Sequence, residues 1–184
     1  ASYFAGVREE DALVARLESE LGIPVITAAT AVRDAFHAVA ARRIGLVSPY
    51  PDDLTEAATR YWTERGFEVA AVSRGAMADG AFHPIYAMSA AGAAAALAAL
   101  PEGRCDAVAM LGTGMPTLKP ILDRPFHGGA PVTSCMHALA WRTVRAVTGQ
   151  PADAESFLAW VRGEGWRDRY AARQINSPAL TDEG

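Results

Sequence analysis

The sequence predicts an α/β protein with a mostly parallel β-sheet covered by helices. Short apolar runs rich in β-branched residues alternate with stretches of helical spacing along most of the 184 residues. This alternation is typical of βαβ units, whose connecting helices cover the sheet. The units are too few and too short for a closed β/α barrel, so the sequence favours an open sheet.

Each element follows from apolar spacing and from the residues at its ends. In the first helix Leu13, Leu17 and Leu21 recur on one face, and Gly22 is a typical helix stop. The predicted elements are a helix at 9–21, a strand at 23–27, a helix capped by Thr30, a strand at 44–47, a helix from Asp52 or Asp53 to residue 65, a strand at 67–72, a helix at 89–100, a strand at 106–111, a short helix at 116–122, a strand at 131–134, and helices at 136–147 and 154–161.

Composition and charge exclude several classes of partner. The chain is 51% hydrophobic and 21% charged, with a net charge of −4. These values are typical of a globular protein and give no basic footprint for nucleic acid or an anionic membrane. No apolar run reaches the roughly 20 residues of a membrane-spanning helix. The two cysteines lack CxxC spacing, which fits a reduced compartment. We therefore expect a cytoplasmic protein with no nucleic-acid or membrane partner.

The loop after the strand at 44–47 carries a candidate binding residue. It reads SPYP from Ser48, and prolines fix the backbone on both sides of Tyr50. A phenol held in this way is ready to donate a hydrogen bond to an oxyanion. Ser48 is a second candidate in the same loop. The alternative is that Tyr50 simply packs between two parts of the protein.

The loop after the strand at 106–111 reads Gly112-Thr113-Gly114. Glycines permit positive φ, so successive N–H groups can converge on an anion, and a following helix N-terminus would add partial positive charge. A dinucleotide fingerprint is excluded because its third glycine is Thr117 here, and no Lys-Ser/Thr pair follows as in a phosphate loop. A small carboxylate fits best, while a tight strand–helix turn without a ligand is the alternative.

The third loop brings a thiol to the end of a strand. Cys135 lies between the strand at 131–134 and the next helix, where the helix dipole is expected to lower its pKa. His137 is close enough in sequence to pair with Cys135, although a free cysteine is also common in protein cores. His83 lies in a loop that could reach the same crevice. No cluster has convincing metal-ligand spacing.

Together these stretches resemble the Asp/Glu racemase superfamily, in the branch that contains maleate cis-trans isomerase and arylmalonate decarboxylase. The resemblance covers residue 1 to about residue 149. The stretches that carry it are ASYFAG, GIPVITAATAV, RRIGLVSPYPDDL, LGTGMPTL and APVTSCMHALAWRTVR.

The resemblance implies two pseudo-symmetric α/β lobes with parallel sheets flanked by helices and an active site between them. Residues 42–136 would form the second lobe, and residues 1–41 and 137–184 would form the remnant of a first lobe, incomplete at its N-terminus, plus C-terminal helices. Tyr50 would bind a substrate carboxylate. Gly112 stands where the family usually has a catalytic cysteine, and the partner thiol would lie upstream of residue 1.

The resemblance implies a cofactor-independent isomerase that acts on a small carboxylate or dicarboxylate through an enolate-type intermediate, most like maleate cis-trans isomerase. The predicted substrate-binding residues are Tyr50, Gly112, Thr113 and Gly114 with Ser48 and His83, and Cys135 is the catalytic candidate. The alternatives are a carboxylate-binding relative without its thiols, an arylmalonate-type decarboxylase, and a hydrolase that uses Ser134 or Cys135 with His137. A homo-oligomer is compatible with all of them.

Overall fold

A mostly parallel sheet lies at the centre of the protein, in a computed structural model that describes residues 2–75 and 88–176. Within these residues its strands are β1 (Arg43–Ser48), β2 (Glu68–Arg74), β3 (Ala107–Met110), β4 (Phe126–His127) and β5 (Ala130–Ser134). They are ordered β2-β1-β3-β5-β4. Strand β1 runs parallel to β2 and β3, β3 runs parallel to β5, and only the short β4 pairs antiparallel. The predicted parallel α/β sheet is confirmed.

Helices cover this sheet. They are α1 (Ser2–Ala5), α2 (Val7–Leu21), α3 (Ala28–Ala38), α4 (Asp52–Glu64), α5 (Ala90–Ala98), α6 (Leu118–Asp123), α7 (Cys135–Thr148), α8 (Ala154–Val161) and α9 (Arg167–Asn176). Side-chain caps set several of the helix starts: Ser89 accepts a hydrogen bond from the third residue of α5, and Ser134 does the same for α7. Helix α2 ends at Gly22, as predicted, in the left-handed conformation.

Two hydrophobic cores lie on opposite faces of the sheet, because successive strand residues point to opposite sides. Ile44 and Leu46 of β1 belong to the first core, which includes α3, α4 and α7, whereas Val47 belongs to the second. In β3, Ala109 belongs to the first core and Met110 to the second, which α5 and α6 complete. The central strands are therefore buried on both faces, as their continuous apolar sequence indicated.

The predicted strand at 23–27 is wrong. These residues form an irregular segment between α2 and α3, in which Glu18 accepts a hydrogen bond from the Val25 amide (3.0 Å). Thr27, not Thr30, caps α3, and the two residues form a reciprocal capping box. Glu18 and the capping box therefore satisfy backbone N–H groups of this segment without a neighbouring strand. The segment therefore presents no strand edge, although the Ile23 side chain is 60% exposed.

No helix among the described residues is long and apolar enough to span a membrane. The division of the chain into residues 42–136 and the two flanking parts stays a prediction.

Candidate active site

Three loops meet at one edge of the sheet, because β1, β3 and β5 are adjacent, parallel and end at the same level. Val47 is paired with Met110, and Met110 with Ser134. Tyr50, Gly112 and Cys135 each follow one of these strand ends within two residues. The carboxyl edge of parallel strands is where ligands bind in open α/β sheets.

The loop after β1 fixes the backbone of Tyr50 through buried hydroxyl groups. The Tyr50 amide donates to Ser48 Oγ (3.2 Å), and Thr55 Oγ1 lies 2.7 Å from Ser48 Oγ and 3.2 Å from the Tyr50 carbonyl oxygen. Ser48 is 1% exposed, so its hydroxyl braces the loop. The Tyr50 side chain is half-buried, and burial together with the nearby Cys135 thiol raises the pKa of its phenol above the ordinary value.

Gly112 sits at the centre of the site with its backbone in the left-handed region (φ +84°). Its amide faces both the Tyr50 phenol and the Cys135 thiol and lowers the pKa of each, although burial outweighs this effect. A Cβ atom at this position would lie 2.7 Å from Pro49 Cγ and 3.6 Å from the Tyr50 hydroxyl oxygen. Only glycine fits here without movement of the proline ring.

The expected helix dipole behind Gly112-Thr113-Gly114 is not there. Helix α6 starts at Leu118, later than predicted, and has only six residues. The helix whose first turn does reach the site is α7, which begins at Cys135 and has 14 residues. Thr113 is exposed beside the buried Gly112.

Cys135 is buried in the first core, with 5% of its surface exposed. Burial raises the pKa of its thiol, although the Gly112 amide, its own amide and the Tyr3 hydroxyl act in the opposite direction. The predicted lowering of this pKa is therefore wrong, because desolvation outweighs the helix N-terminus. At neutral pH Cys135 is a protonated thiol.

His137 does not pair with Cys135. Its Nδ1 atom lies 3.0 Å from Thr133 Oγ1, and the Ser134 hydroxyl accepts from the His137 backbone amide (3.3 Å). Positions 135 and 137 point to different sides of a helix. The Ser–His or Cys–His pair that a hydrolase would need is absent from the described residues. Burial lowers the pKa of His137 to about 4, so the imidazole is neutral at pH 7.

Tyr3 is a site residue that the sequence argument missed. It lies in α1, is 8% exposed and hydrogen-bonds Cys135 through its hydroxyl. Its ring packs edge-on against Tyr50, with centroids 6.1 Å apart. Burial raises the pKa of this phenol as well. The stretch ASYFAG, which carries part of the family resemblance, contains Tyr3 and was the available signal.

The site thus combines two phenols, one thiol and the Gly112 backbone amide, all neutral and able to donate hydrogen bonds. Such a set can bind an anionic oxygen atom without a cation. No group of three His, Cys, Asp or Glu side chains within 2–75 and 88–176 could hold a metal ion. His83 lies outside the described residues.

Comparison with known proteins identifies a family and a relative that are similar to this chain. A family model described as arylmalonate decarboxylase matches residues 1–158. A maleate isomerase from Pseudomonas putida is 50% identical over 46 residues, which is 25% of this chain and 18% of that protein.

Two solved structures are similar at the level of the fold. One is the maleate cis-trans isomerase of Nocardia farcinica, a C194S mutant with a covalently bound succinylcysteine intermediate (TM-score 0.72, 22% identity, 85% of this chain and 66% of that chain). The other is unliganded arylmalonate decarboxylase (TM-score 0.70, 23% identity, 82% of this chain and 65% of that chain). This chain therefore spans just under two thirds of the length of the solved structures.

Proposed function

This chain belongs to the arylmalonate decarboxylase family, and we propose that it is a cofactor-independent isomerase of a small carboxylate or dicarboxylate, most like maleate cis-trans isomerase. One observation carries the proposal: the Tyr50 phenol, the Gly112 amide and the Cys135 thiol converge at the carboxyl edge of β1, β3 and β5. The 46-residue match to a maleate isomerase supports the choice of substrate class.

The substrate would bind with one carboxylate against Tyr50 and the Gly112 amide. Both groups donate hydrogen bonds, and Thr113 and Gly114 continue the same loop at its exposed side. The Tyr50 pKa is raised, so the phenol keeps its proton at neutral pH and donates it in a hydrogen bond to the anion. The rigid SPYP loop fixes the Tyr50 backbone before substrate arrives, which reduces the entropy cost of binding.

The isomerisation needs a nucleophile and a stabilised carbanion. The Cys135 thiol, which is protonated at rest, would first lose its proton to solvent. The resulting thiolate would add to one olefinic carbon, which forms a C–S bond and moves the π electrons onto the neighbouring carbon and its carboxylate. Rotation about the resulting single C–C bond, followed by loss of the thiolate, restores the double bond in the trans form. Tyr50 and the Gly112 amide would stabilise the enolate-type intermediate, and such a donor contributes on the order of 3 kcal/mol.

The state of Cys135 favours a second candidate function, an arylmalonate-type decarboxylation. Loss of carbon dioxide from a malonate leaves its bonding electrons in an enediolate, which must then take a proton at carbon. A buried thiol with a raised pKa is a proton donor, and the resulting thiolate regains its proton from solvent. Both functions use the same anion-binding donors.

Maleate turnover followed by proton NMR tests the proposal. We expect fumarate to appear with the unmodified protein, and we expect Tyr50→Phe to lower kcat by about 100-fold, the loss typical of one oxyanion donor. Tyr170→Phe in α9 removes a phenol hydroxyl away from the site and should leave the rate unchanged. Equal loss in both variants would contradict a specific role for Tyr50.

The same assay with phenylmalonate in D2O separates the two functions. Phenylacetate that carries deuterium at its α-carbon, and that is lost in Cys135→Ala, would establish decarboxylation. If neither substrate reacts but maleate raises the thermal midpoint of the wild type and not of Tyr50→Phe, the chain is a carboxylate-binding relative without this activity.

A further inference from the structure

Three hydrogen-bond donors meet at the Cys135 sulfur. The Gly112 amide, the Cys135 amide and the Tyr3 hydroxyl each bond to it, and each acts to lower the pKa of the thiol. Such donors stabilise the charged thiolate more than the neutral thiol. Burial opposes them, since only 5% of the Cys135 surface is exposed. The donors are therefore arranged for the thiolate, although the resting group is a protonated thiol.

Tyr3 is the side-chain member of this set and comes from a separate element. It lies in α1, whereas Cys135 begins α7, and both residues belong to the first core. The bond between them lowers the pKa of Cys135 and raises that of Tyr3, as expected when the hydroxyl donates to the sulfur. The Trp62 indole also acts on the phenol, but an indole N–H can only donate. The Tyr3 proton is therefore left for Cys135.

Neighbouring rings hold the Tyr3 phenol in place. Its ring packs edge-on against Tyr50 and Tyr61, with centroids 6.1 and 5.2 Å away, and lies tilted 6.4 Å from Trp62. The Tyr61 hydroxyl is itself bonded to the buried Glu10. With 8% of its surface exposed, Tyr3 has little room to turn its hydroxyl away from the sulfur.

Neutral groups surround the Cys135 thiol in the described part of the chain. The titratable side chains that act on it or beside it are Tyr3 from α1 and Tyr50 from the loop after β1, and burial raises the pKa of both phenols. His137 lies two residues further in α7, with its Nδ1 atom 3.0 Å from Thr133 Oγ1. Where no cation stabilises a thiolate, hydrogen-bond donors are the means that remain.

We propose that Tyr3 is a positioning residue for the reaction of Cys135, and that its hydroxyl completes a three-donor site for the thiolate with the Gly112 and Cys135 amides. This rests on the proposed function, in which the thiolate adds to the substrate double bond. The thiol gives its proton to solvent, and the thiolate then accepts the Tyr3 hydrogen bond. That bond weakens as the negative charge passes to the substrate carboxylate. In the decarboxylation, the same donors stabilise the thiolate that remains after protonation of the enediolate.

Alkylation by iodoacetamide at a fixed, mildly alkaline pH tests this role without a substrate. The chain has two cysteines, so a Cys105→Ser background leaves Cys135 as the reacting thiol. We expect Tyr3→Phe to raise the thiol pKa by about one unit or more, the worth of a hydrogen bond to a charged group. A more basic thiolate is also more nucleophilic, so the net alkylation rate should fall about three- to tenfold. An unchanged or faster rate, or a wild-type thiol that never reacts, would overturn the proposal.

Two further variants separate a hydrogen bond from a loss of packing. Replacement of Tyr3 by 3-fluorotyrosine makes the phenol more acidic and hence a stronger donor, so alkylation should become faster. Tyr61→Phe removes a neighbouring phenol hydroxyl that bonds Glu10 rather than Cys135, and should leave the rate unchanged. Slower alkylation in all three variants would indicate a general disturbance of the core and contradict the proposal. If Tyr3→Phe does not fold, the direction of the fluorotyrosine effect decides.

Maleate turnover distinguishes this inference from the proposed function. We expect Tyr3→Phe to lower kcat and leave KM nearly unchanged, because the phenol acts through Cys135 and not on the bound carboxylate. The expected alkylation pattern in a protein that does not turn over maleate would support the thiolate site and contradict the isomerisation. Turnover by wild type with equal alkylation rates in wild type and Tyr3→Phe would support the isomerisation and contradict the role of Tyr3.

Discussion

Gly112 adopts a backbone conformation that favours glycine, and its amide is also a hydrogen-bond donor in the candidate site. Its positive φ turns the chain away from β3, and this turn presents its amide to Tyr50 and Cys135. The Pro49 ring occupies the space that a side chain would need. Family resemblance implies a thiol at this position, but in this conformation the residue contributes its backbone alone.

Replacement of Gly112 by alanine should therefore destabilise the protein. We expect the free energy of unfolding to fall by about 1–3 kcal/mol, because an L-residue is strained at φ +84° and its Cβ meets Pro49. Urea unfolding measures this change. Gly92→Ala in α5 is the control, since a Cβ there makes only ordinary contacts of 3.5 Å or more. Equal stability of Gly112→Ala and wild type would contradict the geometry.

His137 gives the protein a defined pH dependence. Its pKa is about 4 in the folded state and near 6.5 when the chain is unfolded, so below pH 6.5 the unfolded chain binds the extra proton. The free energy of unfolding therefore falls as the pH drops from 6.5 to 4, by about 3 kcal/mol from this group. Urea unfolding at several pH values should show a shallower fall in His137→Gln than in wild type. Equal slopes in the two proteins would contradict the burial of a neutral imidazole.

The sequence predicted which of these loop residues lie together better than it predicted their chemical states. Tyr50, Gly112 and Cys135 could be found because each follows a strand end, and parallel order places such ends together. The raised pKa of the Cys135 thiol could not be predicted, because it depends on burial among residues distant in sequence, such as Tyr3. The position of Cys135 at a helix N-terminus predicts a lowered pKa instead. Tyr3 itself lies in α1, far from these loops in sequence.

Helix α2 is attached to α4 by a buried polar network. The Glu10 side chain is 4% exposed and accepts hydrogen bonds from Thr27 (2.7 Å), from Tyr61 and from Arg65 (3.0 Å). Arg65 also bonds Asp11 through its Nη1 atom (2.9 Å). The irregular segment at 23–27 is part of this attachment, since Thr27 both caps α3 and reaches Glu10. A short apolar run in a sequence is compatible with a strand or with an irregular segment. Here side-chain hydrogen bonds to the backbone stabilise the irregular form.

Removal of the cation from this network should be costly. We expect Arg65→Ala to lower the free energy of unfolding by about 3 kcal/mol, because Glu10 would remain buried without its main positive partner. Arg60→Ala in the same helix removes an exposed arginine 3.9 Å from Glu56 and should cost below about 0.5 kcal/mol. Chemical denaturation of both variants provides the comparison. Similar small losses would mean that α2 is held by apolar contacts alone.

At the scale of the whole molecule, the two cores share the central strands and should unfold together. Leu97 of α5 is 1% exposed and belongs to the second core, whereas the buried Trp62 and Trp141 belong to the first. We expect Leu97→Ala to cost about 3 kcal/mol and to shift the tryptophan fluorescence and far-ultraviolet circular dichroism transitions equally. Leu13→Ala, at a side chain that is 45% exposed, is the control. Transitions that separate would show that the two faces unfold independently.

The level ends of β3 and β5 also place positions 112 and 135 beside each other. Met110 and Ser134 are direct partners in the ladder, so a reactive group one or two residues beyond either strand reaches the same volume. A thiol at position 135 can therefore reach the volume beside the Gly112 amide without any change in strand register. For protein engineering, this edge of the sheet offers two neighbouring loops, and a thiol that is missing from the loop after β3 can be supplied by the loop after β5.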